Sequence, residues 1–366
     1  MALRKLGFKP DIYEKTSSIQ PVGYGISLLF NAVEALSRLG LKDELYKKGI
    51  PITAFNFFSN KGTSLTHSDL SVFEEKYNVQ ALGIKRSDLH HILINNLPKE
   101  SIYLNHELEG IIEGDESADL IFKGNKTIKA DVVVGADGIH SNVRNHIFGK
   151  NNLRDSGQLC WRGIAPFPKN NIQSFESWGT GKRFGALQIA EREVYWYASI
   201  NQKQLKNNNK CKKDLLIKLF SGWHSPIQEI INNTNSAAIL ETKIVDAKPT
   251  TKWHQGNTVL LGDSIHPTTP NLGQGAGMAI ESAYILADCF IKKNNLKSAF
   301  IKYEKERQQR TAWITNQSWQ FGKISQLENS FICTLRNSLV KLSSILPNKI
   351  KNRGMYQLCD PFFEMV

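Results

Sequence analysis

The chain is poor in cysteine and has none in a useful arrangement. Its five cysteines, Cys160, Cys211, Cys289, Cys333 and Cys359, are scattered, odd in number and never spaced as Cys-x-x-Cys. That argues against zinc and against a disulfide framework, and makes a reducing, cytoplasmic compartment the default. No apolar run reaches the roughly 20 residues of a membrane-spanning helix, and no signal-peptide pattern opens the chain. No internal repeat is visible. Acid is also scarce: 34 Asp and Glu stand against 46 Lys and Arg, a net charge of +12. Such an excess attracts anionic ligands, yet no nucleic-acid-binding signature goes with it. Much of it lies among asparagines, as from Lys203 to Lys213, and reads as solvated loop. No protein nucleophile and no metal constellation stands out, and the pair His90-His91 lacks a third ligand. What remains is ordinary: 366 residues, 41% apolar and 22% charged. That suits about two globular domains with a core that needs no staples.

The stretch Gly256–Leu286, GNTVLLGDSIHPTTPNLGQGAGMAIESAYIL, organises the rest. A Gly-Asn turn leads into Thr258–Gly262, the signature of a short buried strand. Asp263 follows at the strand end, where ligands collect in open parallel sheets. Pro267 and Pro270 stiffen the approach to Gly273, Gly275 and Gly277. Those glycines admit something flat or bulky against the backbone, with no Cβ in the way. A helix from Met278 to about Phe290 comes next. It is apolar on nearly every side apart from Glu281 and Asp288, hence buried. Its N-terminus aims free N–H groups and a positive dipole end at whatever sits there. An acid would repel phosphate, so Asp263 is expected to meet a hydroxyl. A ligand with hydroxyls on its chain and a ring that turns anionic on reduction is a flavin.

On these residues a resemblance can be stated. Gly262-Asp263-Ser264-Ile265-His266-Pro267, followed by Gly273-Gln274-Gly275, resembles the second flavin motif of the single-component FAD-dependent aromatic hydroxylases. Zeaxanthin epoxidase, salicylate hydroxylase and FAD-dependent urate hydroxylase belong to that family. The alternative is a glycine-rich loop before a core helix. The resemblance implies that Asp263 holds the ribityl chain. It places Gly262, Pro270, Gly273, Gln274, Gly275 and Ala276 against the cofactor. Ala130–Arg144, ADVVVGADGIHSNVR, reads directly as a buried parallel strand over Asp131–Gly135, a turn at Asp137-Gly138 and a helix capped by Ser141. It resembles the family's middle motif, with Asp137, Gly138 and Arg144 on pattern. The alternative is a plain joint in which Asp137 pairs with Arg144.

Met1–Gly7 reads as a helix tail stopped by Gly7, and Lys9–Lys15 as a strand closed by Glu14. An acid at that point of a dinucleotide-binding βαβ unit takes ribose hydroxyls, so Glu14, with Lys15, is assigned to the adenosine end. The strand and the Gly-x-Gly-x-x-Gly turn that precede such an acid are not in the sequence, and about 30 residues would be needed for them. Either translation starts further upstream or the chain is a decayed copy, and the intact downstream motifs favour the first. The expectation is firm FAD binding from a chain extended upstream and weak binding from this one.

Pro21–Leu41 reads as a glycine loop and a helix, with Val33, Leu36 and Leu39 on period and Gly40 as the stop. In the family a Gly-x-Gly-Ile loop lies beside the flavin ring, and Gly23, Gly25 and Ile26 match it here. A plain tight turn is the alternative. Ile52–Phe58 reads as a strand entering a second domain. Ala81–Leu97 contains a helix for which Ser87 is the candidate cap. Arg86 resembles the family arginine that contacts the flavin side chain or pyrophosphate, the alternative being an exposed charge. Leu159–Ile200, rich in aromatics, is the expected antiparallel sheet over the ring face. Trp161, Arg162, Phe184, Gln188, Trp196 and Pro270 are candidate pocket residues, although most aromatics in such a sheet are core. Lys212–Phe220 and Ser225–Ile231 read as short helices, Thr242–Ala247 as a returning strand and Ala299–Lys323 as a long polar helix. Glu328–Leu346 spaces Phe331, Ile332, Leu335, Leu339 and Leu342 beside Arg336 and Lys341. Such a helix packs on its own domain or makes a peripheral membrane contact.

The fold expected is α/β. A Rossmann-like FAD-binding domain takes 1–51, 76–156 and 248–298, without its first strand and glycine fingerprint. An interleaved antiparallel-sheet substrate domain takes 52–75 and 157–247, and a C-terminal helical region takes 299–366. The resemblance implies an FAD-dependent monooxygenase. NAD(P)H reduces FAD, O2 adds to the ring, and the flavin C4a-hydroperoxide passes one oxygen to a small aromatic, N-heterocyclic or isoprenoid substrate. The cofactor carries that chemistry, so no side chain is named as catalytic. The alternatives are a truncated, non-catalytic remnant and a flavin-dependent halogenase, whose Trp-x-Trp-x-Ile-Pro stretch is absent.

Overall fold

A computed structural model describes residues 1–19, 24–150, 152–168, 172–205, 211–292, 295–347, 350 and 352–365. One pair of parallel strands is short, apolar and covered. Val133–Gly135 runs beside Thr258–Leu260, with Val134 opposite Val259 and Gly135 opposite Leu260. All three residues of the second strand are buried. Val143 and Ile147 of the helix Asn142–Phe148 cover the pair, as do Ile285 and Leu286 of Gly275–Lys292 and Phe300 and Tyr303 of Leu296–Ser325. A second parallel pair, Ile12–Tyr13 with Ile102–Tyr103, forms a sheet of its own. The opening helix, Ala2–Lys5, ends before Gly7 at φ +86°.

The large sheet has seven strands in the order Leu240–Ala247, Leu153–Pro166, Glu193–Asn201, Lys182–Ala190, Ser174–Trp178, Ala54–Ser59, Ser64–Asp69. Every pairing is antiparallel except Ser174–Trp178 with Ala54–Ser59. Both faces are covered. One packs Trp161, Phe184 and Trp196 against Leu216, Phe220, Ile227 and Ile230 of two short helices. The other packs Leu187 and Ile189 with Leu28, Ile84 and Met278, next to the helix that starts at Gly275. Successive strand residues point to opposite faces, so each strand serves both layers.

Three local expectations change. Ser87 is not a cap: the helix runs Arg86–Asn95 with Lys85 at the cap position, so Ser87 lies inside its first turn. Gly25 and Ile26 do not sit in a loop but in the strand Gly25–Leu28, paired with Lys85 and Ile84. A Cβ at Gly25 would lie 2.3 Å from Tyr195 Cβ, so the glycine is demanded by strand-on-sheet packing. Gly23 lies outside the described residues. The buried helix starts at Gly275, three residues ahead of Met278.

Candidate active site

Strand ends set the site. Because Gly135 and Leu260 are partners in a parallel pair, the chain leaves both strands toward the same side. Asp137 comes out of one and Asp263 out of the other. Ser264 Oγ ties the two exits together, donating to Gly135 O at 2.6 Å while accepting from Leu261 N–H at 3.1 Å. Asp137 is spent on its own helix. It accepts from Ser141 Oγ and from Val143 N–H at 3.0 Å, and Ser141 Oγ caps Arg144 N–H at 2.9 Å. Arg144 donates to Gly149 O, so the reading of an Asp137–Arg144 pair gives way to a capping one. Asp263 differs. Solvent reaches its side chain, yet the surrounding protein raises its carboxyl above the usual range, with the Arg86 charge opposing. It is a carboxylate in a recess with a cation across from it.

The helix mouth completes that recess. Gly262 at φ +68° and Gly273 at φ +64° take backbone conformations that other residues resist. A Cβ built at Gly138 would meet nothing within 4 Å, and one at Gly275 only Thr268 Cγ2, at 3.6 Å. Nothing therefore crowds the backbone at Gly138 and little crowds it at Gly275, where the helix's first turn carries unpaired N–H groups. The loop before the helix is clamped through Asn271. Its Nδ2 donates to Thr269 Oγ1 at 2.9 Å and to Ser318 O at 2.8 Å, and its Oδ1 accepts from Arg183. A Cβ at Gly273 would meet Ser27 Oγ at 3.2 Å, so the loop lies over the Gly25–Leu28 strand. Gly25 and Ile26 thus run beside Arg86, whose N–H donates to Tyr24 O. Pro270 is exposed, Gln274 buried, and Ala276 half-buried in the first helical turn. Glu14 and Lys15 follow the separate parallel pair, and Glu14 accepts from Thr16 N–H at 2.9 Å. Among the described residues no hydrogen bond or ion pair joins them to the Asp263 group.

Behind the mouth lies a charged network that the sequence reading did not assemble. Glu281, fully buried, receives Arg310 through Nε at 2.7 Å and Nη2 at 2.5 Å, and Arg307 Nη2 at 2.7 Å. Asn31 Nδ2 bridges Glu281 and Gln274 Oε1, linking the network to the helix mouth. Burial pushes the Glu281 carboxyl up, but the Arg307 charge and the Arg310 hydrogen bond and charge outweigh it and hold it at about 2. Arg307 Nε also donates to Ser282 Oγ at 3.1 Å, leaving the hydroxyl proton for His266 Nε2 at 3.0 Å. Burial, then the Arg307 charge, bring His266 down to about 3 from 6.5. Between those values only the unfolded chain binds the extra proton. Stability should therefore be intact above pH 6.5 and fall as pH drops toward 3, with Glu281 adding to the loss below 4.5. Urea midpoints of wild type and His266→Asn against pH test this. The slope between pH 6.5 and 4.5 should vanish in the variant, and an unchanged slope would assign it to another group.

The large sheet closes the site from the other side. Trp161, Phe184 and Trp196 do not line it, which corrects that expectation. They point into the far core, where Trp161 Nε1 donates to Glu241 at 2.7 Å and Trp196 Nε1 to Thr234 at 2.8 Å. Gln188 is held in its hairpin by Ala190 O and Glu191 O. Arg162, half-buried, lies on the near face with Tyr195 and Tyr24. The same alternation brings forward residues that sequence reasoning passed over. Glu176 and Arg183, each 2% exposed, lie 3.5 Å apart. Tyr197 and Trp178 both donate to Glu176. Burial, then the Glu176 charge, push the Tyr197 phenol well up, so it stays a donor. The signal for Arg183 and Tyr197 was their place next to Phe184 and Trp196, aromatics assigned to the pocket, whereas Glu176 had no such neighbour.

A recess of this kind suits a flat ring with a hydroxylated tail, held by backbone N–H groups and one carboxylate. That defines an FAD-binding oxidoreductase. Residues 2–318 match the model of the family described as "FAD binding domain", and the chain belongs to that family. It is 32% identical over 346 residues to the aurachin C monooxygenase/isomerase of Stigmatella aurantiaca, covering 94% of this chain and 90% of that one. It is 31% identical over 353 residues to the 2-heptyl-3-hydroxy-4(1H)-quinolone synthase of Pseudomonas aeruginosa, covering 95% and 91%. The fold matches crystal structures of Klebsiella pneumoniae HpxO. One, complexed with FAD and uric acid, gives a TM-score of 0.89 at 22% identity, over 99% of this chain and 92% of that one. The chain is an FAD-dependent monooxygenase of the single-component aromatic hydroxylase type, with NAD(P)H as co-substrate.

Proposed function

We propose that the chain adds one oxygen atom from O2 to an N-heteroaromatic ring bearing an apolar chain, with NAD(P)H as the electron donor. The observation that carries this is the near face of the large sheet. It sets a buried polar group, Glu176–Arg183–Tyr197, beside the half-buried Phe57, which lies opposite Glu176 and packs its ring against Trp178 and Phe321. A ring with one polar edge and a greasy substituent fits such a wall. Support comes also from the P. aeruginosa relative, whose name carries a quinolone ring and a heptyl chain. We assign 1–51, 76–156 and 248–298 to the flavin-binding unit, 52–75 and 157–247 to the substrate unit, and 299–366 to the C-terminal region.

Bound FAD supplies the redox and oxygen chemistry. The chain's own residues bind and orient. Asp263 accepts hydrogen bonds from the ribityl hydroxyls, and Arg86 lies across the recess for the flavin side chain or pyrophosphate. Glu14 and Lys15 take the adenosine end. Gly138, Gly262, Gly273 and Gly275 leave room, and the Gly275–Lys292 dipole favours negative charge at its mouth. Tyr197 and Arg183 meet the polar edge of the substrate, and the apolar wall excludes water. Free cysteines and an NAD(P)H requirement suit the cytoplasmic side of the cell.

The test is NAD(P)H oxidation by the FAD-loaded enzyme with 2-heptyl-4(1H)-quinolone, urate and 6-hydroxynicotinate in parallel. The alkylquinolone should stimulate oxidation and yield a product with one added oxygen. Turnover of urate or 6-hydroxynicotinate with none of the alkylquinolone would overturn the substrate assignment.

A further inference from the structure

We propose that the helix Ser330–Ser343 and the turn after it dock on an anionic membrane surface, from which the enzyme draws its apolar substrate. The second half of that statement rests on the substrate class proposed above, whereas the docking stands on the surface alone. The helix is turned inside out. Its inward side is held by Cys333 and Arg336, both buried. Cys333 Sγ donates to Leu327 O at 3.1 Å, and Arg336 Nη1 to Ile324 O at 3.2 Å and Ser325 O at 3.1 Å. Its outward side is a stripe of Phe331, Leu335, Leu339 and Leu342, continued by Ile345 and Leu346. Phe331 is 76% exposed and Ile345 77%. A contiguous apolar stripe of this kind marks an interaction surface.

Charge selects the occupant. From Asn329 to Cys359 the sequence holds no Asp or Glu, while Lys341, Lys349, Lys351 and Arg353 are all there. Lys341 and Arg353 are exposed. An apolar face bordered by cations is what an interfacial helix presents to anionic lipid. A second copy of the chain would bring this basic strip against its own like. No helix of the described residues is long and apolar enough to cross a membrane, so the contact would be peripheral.

The position of the helix gives the docking a purpose. The Arg336 guanidinium lies 4.9 Å over the Trp178 ring. Trp178 Nε1 donates at 2.5 Å to Glu176, on the sheet face assigned to the substrate. One side chain thus separates the exposed stripe from the substrate wall.

Vesicle flotation tests this with the FAD-loaded enzyme, using phosphatidylcholine alone and phosphatidylcholine mixed about 7:3 with phosphatidylglycerol. The protein should float with the mixed vesicles and be released by salt. The triple variant Phe331→Ser, Leu335→Ser, Leu339→Ser should bind about tenfold or more weakly. Its thermal midpoint and its turnover of a short-chain substrate in solution should hold. With a long-chain alkylquinolone carried in the vesicles, its turnover should fall. Docking without turnover of any alkylquinolone would remove the substrate class and leave the docking standing. Flotation equal in variant and wild type, or none with either vesicle, would overturn the docking. A wild-type dimer that the triple variant reduces to monomer, with no lipid bound, would give the face to a second copy instead.

Discussion

Glu281→Gln will cost the fold about 3–5 kcal/mol, the range for removing one partner of a buried ion pair. The variant keeps the shape of the side chain and its capacity to accept from Asn31. What it loses is the only carboxylate paired with Arg307 and Arg310 among the described residues. Arg307 is fully buried and Arg310 nearly so. Two cations with no anion in that interior must unfold locally, draw in water or be expelled. The long helix Leu296–Ser325 supplies both arginines, and the C-terminal helix Arg353–Met365 is tied to the same point by Leu358 O, which accepts from Arg310 at 2.7 Å. The loss should therefore appear as one cooperative transition at a lower urea midpoint, with the C-terminal helix included. The bond from Asn31 Nδ2 loses its charged acceptor, which weakens the link to Gln274, so flavin affinity should fall in the same variant. Adding Arg310→Met should restore part of the stability, because it removes one of the unpaired charges. A loss below about 1 kcal/mol would mean that solvent already shares this site.

The network explains which parts of the site could be read from sequence. The strand Thr258–Leu260, the helix after it and the middle motif carry local signals: an apolar run, a turn, glycines and a capping serine. Each appears close to where those signals put it, with both strands two residues shorter and the helix starting three residues early, at Gly275. Glu281 was visible only as a charge in an apolar helix, and its partners lie about 30 residues away on another helix and near the start of the chain. No local pattern names them. The large sheet failed for a different reason. Both of its faces are buried, so the alternation of apolar and polar residues that marks an inside and an outside is weak. Trp161, Phe184 and Trp196 looked like cavity residues because they are aromatic. The near face instead carries Arg183 and Tyr197, a single position along. Only the covering layers decide which set meets the ligand. Gly25 shows the same limit: its sequence context suggests a turn, and its cause is the Tyr195 side chain on a different strand.

Asp263→Ala should separate binding from folding by moving them in opposite directions. The carboxylate sits in a recess that raises its pKa, so in the empty protein its charge is held against the preference of its surroundings. A folded pKa above the unfolded one means that this group loses stability for the fold as pH rises through that window. Removing it should leave the FAD-free protein no less stable at neutral pH, and somewhat more so. Flavin binding should weaken, because a charge-assisted hydrogen bond to a hydroxyl contributes about 1.5–3 kcal/mol, or roughly ten- to a hundredfold in affinity. Asp263→Asn keeps the shape and a carbonyl acceptor without the charge, so its affinity should fall between the two. The wild-type affinity should also drop on acidification, as the carboxyl gains its proton, whereas the Asn variant should show no such dependence. Fluorescence titration of FAD and thermal unfolding of the FAD-free protein measure the two sides. A residue that only packed would lower stability and leave affinity to follow it. If Asp263→Ala destabilises the empty fold while binding FAD as tightly as wild type, the carboxylate supports the loop and grips no ligand.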